Sequence, residues 1–410
     1  DSVKVIHQRW RVFYEDSYPT VSGLFSDFHI DSVNVSDGVL INSSAGNNRR
    51  TSGGEYRFSA TLKDVAVNPF SYYNKDRVFY SREVDLIVHN FDYYLADSLY
   101  TLKASEIGFS LTRSLLWGKG ISMVPDLKRS IRTGNRSSDF YRFELPSFNL
   151  KGVDLYQVLT GKIVDLDSVS LKDLKVEVIH NERRLKKNRP KTSAGNLTFS
   201  GLWPIISREL NFIRIGQVNL TDGSFRYYSA LFDKNPELSI GNVDITLDRF
   251  LIDSLAHSDP ERLFYARDIE LSVENFSLAA RDGIHHVQAN SILFSTRRSL
   301  IDVDLCLIWP DRKNIPEDAP QRRNLIDIKV SHLTFHEIDL RKVFNRRILD
   351  LDRLTIAEPD IRYIRMQASR NPDPRFRKAE DFFESENEEV VYDLLKNYLW
   401  VVRGNTIAIE

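Results

Sequence analysis

The stretch YSREVDLIVHNF at residues 80–91 returns as YARDIELSVENF at residues 265–276, a separation of 185 residues. The same separation carries IDSVNVSDG at 30–38 onto IGQVNLTDG at 215–223, and LDSVSL at 166–171 onto LDRLTI at 351–356. It also carries Pro125-Asp126 onto Pro310-Asp311, and Val153-Asp154-Leu155 onto Ile338-Asp339-Leu340. A register held without gaps over this length marks an internal repeat. Within the quoted stretch Val84, Leu86 and Val88 alternate with Asp85 and Ile87; in the copy Ile269, Leu271 and Val273 alternate with Glu270 and Ser272. A period of two puts one residue set on each face of a strand, so one face of the sheet is apolar and the other wet.

The same period extends outward. Val33 and Val35 correspond to Val218 and Leu220, while Phe58, Ala60 and Leu62 correspond to Val243, Ile245 and Leu247. Phe109 and Leu111 continue the first unit's apolar set and Phe294 the second's. Asp37-Gly38, Asp222-Gly223 and Asp282-Gly283 read as hairpin turns, because Asp-Gly supplies the positive φ that tight turns need. The strands are therefore expected to follow one another antiparallel, in a meander. Helices are few: DLYQVLTGK at 154–162 and DLRKVFNRR at 339–347 each open on an Asp in N-cap position. Stretches 202–210 and 386–399 read as amphipathic connectors.

These signals divide the chain into the end of a preceding unit (1–22), a first unit (23–181), and a basic linker with connector helix (182–207). A second unit (208–366) follows, then a linker, a helix and the opening of a further unit (367–410). DSVKV at 1–5 resembles the closing motif DSVSL, and NTIAIE at 405–410 resembles a unit opening. The chain thus reads as an excerpt from a longer repetitive protein. The fold class expected is mainly β, an elongated antiparallel sheet of about 185-residue repeats with a few short connecting helices.

Composition narrows the chemistry. Among 410 residues, 42% are apolar, enough for a large buried surface and too apolar for disorder. Fifty-six basic residues balance 57 acidic ones, so the chain as a whole lacks the basic field of a nucleic-acid binder. The single cysteine, Cys306, excludes an internal disulfide framework and any multi-cysteine metal site. The basic run Arg183, Arg184, Lys186, Lys187, Arg189 and Lys191 could meet phosphate headgroups or nucleic acid, but a solvated linker is the simpler reading.

Catalytic candidates are weak. Asp165/Asp167, Asp302/Asp304 and Asp350/Asp352 each share a strand face at spacing two, a geometry that could hold a metal. Each pair nevertheless lies opposite an apolar set, where charge is expected anyway. His285-His286 are adjacent in a strand and point to opposite faces, so they cannot act as a ligand pair. Trp309-Pro310-Asp311 spells the acid loop of tyrosine phosphatases, yet no phosphate cradle surrounds Cys306, and the tripeptide reads as a strand-ending turn. No nucleotide-binding, zinc-protease or serine-hydrolase motif occurs. No catalytic residue, metal ligand or cofactor is expected.

The units close with LDSVSL or LDRLTI, pass through an excursion such as AEPDIRYI at 357–364, and reopen with IDSVNVSDGVLI or IGQVNLTDGSFRY. Together with GVDLYQVLTGKIVDLDSVSL at 152–171 and its copy at 337–356, this pattern resembles the AsmA-like family of diderm bacteria, which includes TamB- and YhdP-type proteins. The resemblance implies a sheet curled into a taco-like groove, a periplasmic location, and anchorage to the inner membrane by a segment outside this chain. It implies phospholipid acyl chains as the partner, an outer-membrane protein as a further partner, no nucleic acid, and a non-enzymatic role in moving lipid for outer-membrane biogenesis. The groove lining would be Val33, Val35, Phe58, Leu62, Val84, Leu86, Val88, Phe109 and Leu111, with Val218, Leu220, Val243, Leu247, Ile269, Leu271, Val273 and Phe294. Periodicity alone does not separate an open groove from a closed core. A structural or protein-binding periplasmic repeat assisting outer-membrane protein assembly, and a carbohydrate-active β-solenoid resting on the carboxylate pairs, are the competing readings.

Overall fold

The computed structural model describes residues 27–41, 55–68, 70–71, 74, 77–94, 100–127, 139–180, 210–228, 235–256, 259, 261–280, 284–311, 324–365 and 401–410. The first set of strands is β1 (Phe28–Ile41), β2 (Glu55–Val67), β3 (Ser81–Tyr94), β4 (Tyr100–Ser110), β5 (Leu115–Pro125), β6 (Asp139–Lys151), β7 (Ile163–Lys172) and β8 (Lys175–His180). The second is β9 (Phe212–Tyr228), β10 (Leu238–Ile252), β11 (Asp268–Ala279), β12 (His285–Ser295), β13 (Leu300–Pro310), β14 (Asn324–His336), β15 (Ile348–Ala357) and β16 (Asp360–Arg365); β17 (Val401–Ile409) follows. Both bounds of each strand from β4 to β8 recur 185 residues later in β12 to β16. All the strands belong to one 17-stranded sheet, so the protein is mainly β with few helices.

Neighbouring strands pair antiparallel from β1 to β6 and from β9 to β14. β7 and β8 then lie end to end along β6, and β15 and β16 along β14. The segment AEPDIRYI is thus a strand line resumed after a break, not an excursion. The meander departs from the antiparallel expectation at the unit boundaries: β9 runs parallel to β7 and β8, and β17 parallel to β15. A parallel pair needs a connection of a dozen or more residues, and the segments between His180 and Phe212 and between Arg365 and Val401 are long enough.

Neither Asp37-Gly38 nor Asp222-Gly223 forms a hairpin turn. Asp37-Gly38 and Asp222-Gly223 lie inside β1 and β9, where Asp37 (φ 53°) and Asp222 (φ 56°) sit at register shifts. A β-bulge asks for the same positive φ as a tight hairpin, so the dipeptide is ambiguous between them. Positive-φ residues recur through the repeat: Asn90 with Asn275, Gly120 with Leu305, and Asp173 with Glu358. Together with Asp37 and Asp222 they interrupt alternate strands near mid-length. The bulges at Asp37 and Asp222 bend and twist their strands, whereas the register runs unshifted past Gly120 and Leu305.

One end of the strands is closed by short connections. Asp154 caps a π-helical turn, Gln157–Gly161, by accepting from the Gln157 N–H at 3.0 Å. Asp339 caps α1 (Leu340–Arg346) by accepting from the Lys342 N–H at 3.0 Å. The two aspartates act as read; the first segment forms a single π turn where an α-helix was expected. Val78, Val84, Phe109, Val153, Leu166, Val169 and Ile215 pack together at this end of the first unit. Leu263, Ala266, Ile269, Phe294, Ile338, Leu340 and Leu351 do so in the second. The readings made for 1–5, 182–207, 202–209, 282–283 and 386–399 lie outside the described residues.

Candidate functional site

Register pairs can be followed from strand to strand, and they sort the apolar residues into rungs that run across the sheet. Val33, Leu62 and Val84 form one short rung. A second passes through Val35, Ala60, Leu86, Phe109, Leu116 and Leu150, then through Val169, Val218, Leu247 and Ile269. The third begins Gly38, Phe58, Val88, Ile107, Gly118, Phe148, Leu171 and Leu220. It continues through Ile245, Leu271, Phe294, Ile301, Phe335, Leu354 and Ile407. This rung crosses fifteen strands, and every position on it is apolar or glycine. A fourth, in the second unit, joins Gly223, Val243, Val273, Ile292, Val303 and Leu333.

Sixteen of the seventeen residues expected on the apolar face therefore fall on four rungs of one face. Leu111, the remaining one, lies in the turn after β4, donates its N–H to Val84 O at 2.8 Å, and packs into the first cluster. Burial splits the set. Val84, Phe109, Ile269 and Phe294 belong to the packed clusters at the closed end, and Val273 is also buried. The other twelve are half-buried. Of the thirteen side chains on the third rung only Phe294 is buried; Ile407 is 67% exposed and the rest are intermediate. In a closed sandwich core, residues at such positions pack against a second layer and lose nearly all contact with water. Among the described residues there is one sheet and no such layer.

Glycine shapes the face at two points. A Cβ on Gly38 would stand 2.6 Å from Phe58 Cζ, and one on Gly118 would stand 2.3 Å from Phe148 Cε1. Each phenyl ring thus lies over the glycine of the adjacent strand. Sequence alternation missed Leu116, Leu150, Val169 and Phe148. Leu166 and Val169 pack into the same cluster although they are three residues apart, so a strict period of two loses the face midway through LDSVSL.

The opposite face carries the charge as cross-strand partners. Lys63 meets Glu83 at 2.9 Å, Lys119 meets Glu106 at 3.0 Å, and Arg249 meets Asp268 at 2.8 Å. A hydrogen bond from the Trp117 indole, with one from Lys119, holds the Glu106 carboxyl below the usual range. The carboxylate pairs fall into the same ladder. Arg214 donates to Asp165, Thr334 Oγ1 to Asp302 at 2.7 Å, and Asn290 to Asp304 at 2.8 Å. Lys342 donates to Asp350 at 3.0 Å and Asn405 to Asp352 at 2.9 Å. Asp167 is exposed. Among the described residues no group of three or more His, Cys, Asp or Glu could hold a metal ion.

The remaining candidates find other work. His286 stacks on Trp309 at 5.6 Å, while His285 accepts a backbone hydrogen bond. Pro310 ends β13, as a strand-ending turn requires. Cys306 lies between Ala289 and Val330 in register, and burial pushes its thiol up, away from the thiolate a nucleophile uses. No helix among the described residues is long and apolar enough to cross a membrane. No protein-family model and no curated protein matches the chain.

Proposed function

We propose that this chain is a section of an AsmA-like β-groove that holds or conducts phospholipid acyl chains across the periplasm between inner and outer membranes. One observation carries the reading: the third rung, an apolar line across fifteen strands whose side chains are mostly half-buried. A methylene chain is the natural occupant of such a surface, since each methylene removed from water contributes about 0.8 kcal/mol and makes no demand for polar partners. The rungs carry no charged residue, so an acyl chain can lie anywhere along them without desolvating an ion. Lipid is held by contact alone in this reading, and no residue performs chemistry.

Native mass spectrometry of the purified chain, with uptake of a fluorescent acyl probe, tests the proposal. Co-purifying phospholipid and saturable uptake are expected. A lipid-free protein that takes up no probe would overturn it, and would leave the face to a protein ligand.

A further inference from the structure

β5 and β13 both end on proline, Pro125 and Pro310. The pairing of β5 with β6 ends at Met123 and Phe143, and that of β13 with β14 at Ile308 and Ile328. Two residues further out, the N–H of Tyr141 and the N–H of Ile326 are bonded from two strands away. Tyr100 Oη accepts the first at 3.3 Å, and His285 Nε2 accepts the second at 3.3 Å. Tyr100 and His285 are repeat equivalents, and each stands opposite the terminal proline in register. The same clasp therefore occurs twice, reaching over a proline to satisfy a backbone donor, with phenol in one unit and imidazole in the other.

We propose that His285 makes the second clasp acid-sensitive, so that β14 is released from the end of β13 in acid while the first unit stays closed. Only a neutral imidazole protonated at Nδ1 can accept at Nε2; the imidazolium has a donor at both nitrogens and repels the Ile326 N–H. The phenol of Tyr100 keeps its lone pairs throughout the range in which histidine titrates. Charged and titratable groups on the neighbouring elements are Asp311 after Pro310, Asp327 after Ile326, Arg362 opposite Asp327, and His286, which is turned away onto Trp309. The device is independent of what occupies the apolar face.

Site-resolved hydrogen exchange of the whole chain at pH 7.5 and 5.5, corrected for intrinsic rates, tests this. Protection of the Ile326 amide should fall about fivefold in acid, the loss of one hydrogen bond, while that of Tyr141 holds. His285→Tyr, which copies the first unit, and His285→Gln, a neutral acceptor, should each abolish the fall. Equal changes at Ile326 and Tyr141, or a fall that survives both substitutions, would overturn the proposal.

Discussion

Leu220→Asp places a charge at the middle of the third rung, between Leu171 on β7 and Ile245 on β10. Aspartate is too short to lift its carboxylate to the rim, as lysine could. In a closed core the change would bury an unpaired charge and lose a packed leucine, costing well above 4 kcal/mol. On a half-exposed face the carboxylate stays hydrated, and the loss is about half a leucine's burial, about 1 kcal/mol. Lipid binding should suffer far more. A methylene chain crossing the near half of each inter-strand gap beside position 220, about 4.8 Å in all, would leave roughly four methylenes without an apolar bed. At about 0.8 kcal/mol each this is about 3 kcal/mol, a loss of about two orders of magnitude in affinity. Thr221→Asp, one residue along and exposed on the opposite face, is the matched control. Urea unfolding and acyl-probe titration of the three proteins give both numbers. Loss of the folded state in Leu220→Asp refutes the open face; a stable variant with undiminished probe binding refutes the lipid reading.

Further expectations concern the repeated joints. Arg262, 9% exposed, donates to Arg249 O at 2.6 Å, Tyr265 O at 3.0 Å and Asp259 at 3.1 Å; Arg77 plays the same part in the first unit. Arg262→Leu should cost about 3 kcal/mol in urea unfolding, and Arg262→Lys should recover only part, because one ammonium cannot reproduce the fork. Gly120→Ala, at φ +59° and with its Cβ 2.7 Å from Ser105 Oγ, should cost about 1–2 kcal/mol, measured the same way. Hydrogen bonds from His29 and then Arg77 hold the Asp64 carboxyl below the usual range. A carboxyl depressed in the folded state contributes stability above its unfolded value, about pH 3.9, and that contribution is lost as pH falls through the folded value. Asp64→Asn should therefore flatten the stability profile below about pH 4, as followed by acid unfolding.

Much of this architecture is legible in the amino-acid sequence. The period of two places Val84, Leu86 and Val88 on one face, and the 185-residue register supplies a second copy against which to check them. Asp154 and Asp339 are readable as caps because a side-chain oxygen ahead of an apolar turn has few other uses. The parallel junctions are hidden because alternation specifies faces, not strand direction. Leu305 shows a different limit: it adopts φ 48° where its repeat equivalent is Gly120, so the positive φ there is imposed by its neighbours and leaves no turn residue to read. The clasp at Tyr100 and His285 leaves no trace in the sequence because it depends on a backbone donor 41 residues away that only the ended ladder exposes.

The ambiguity of Asp-Gly bears on the function as well as on the fold. Had Asp37-Gly38 and Asp222-Gly223 been hairpins, β1 and β9 would each be two short strands, and the third rung would end at those turns. As bulges they keep each strand whole, so the apolar line continues from Gly38 through Leu220 to Ile407. That continuity leaves much apolar surface half in water. If each of a dozen side chains forgoes about 1 kcal/mol of burial, the sum rivals the entire stability of an ordinary domain. A monomer gains nothing in stability by leaving that surface half-exposed in both units. A mobile apolar ligand recovers the deficit wherever it lies, and an unbroken rung lets it move without meeting a barrier. This is why the proposed occupant is a lipid chain rather than a second protein layer, which would be expected to fix itself at one place.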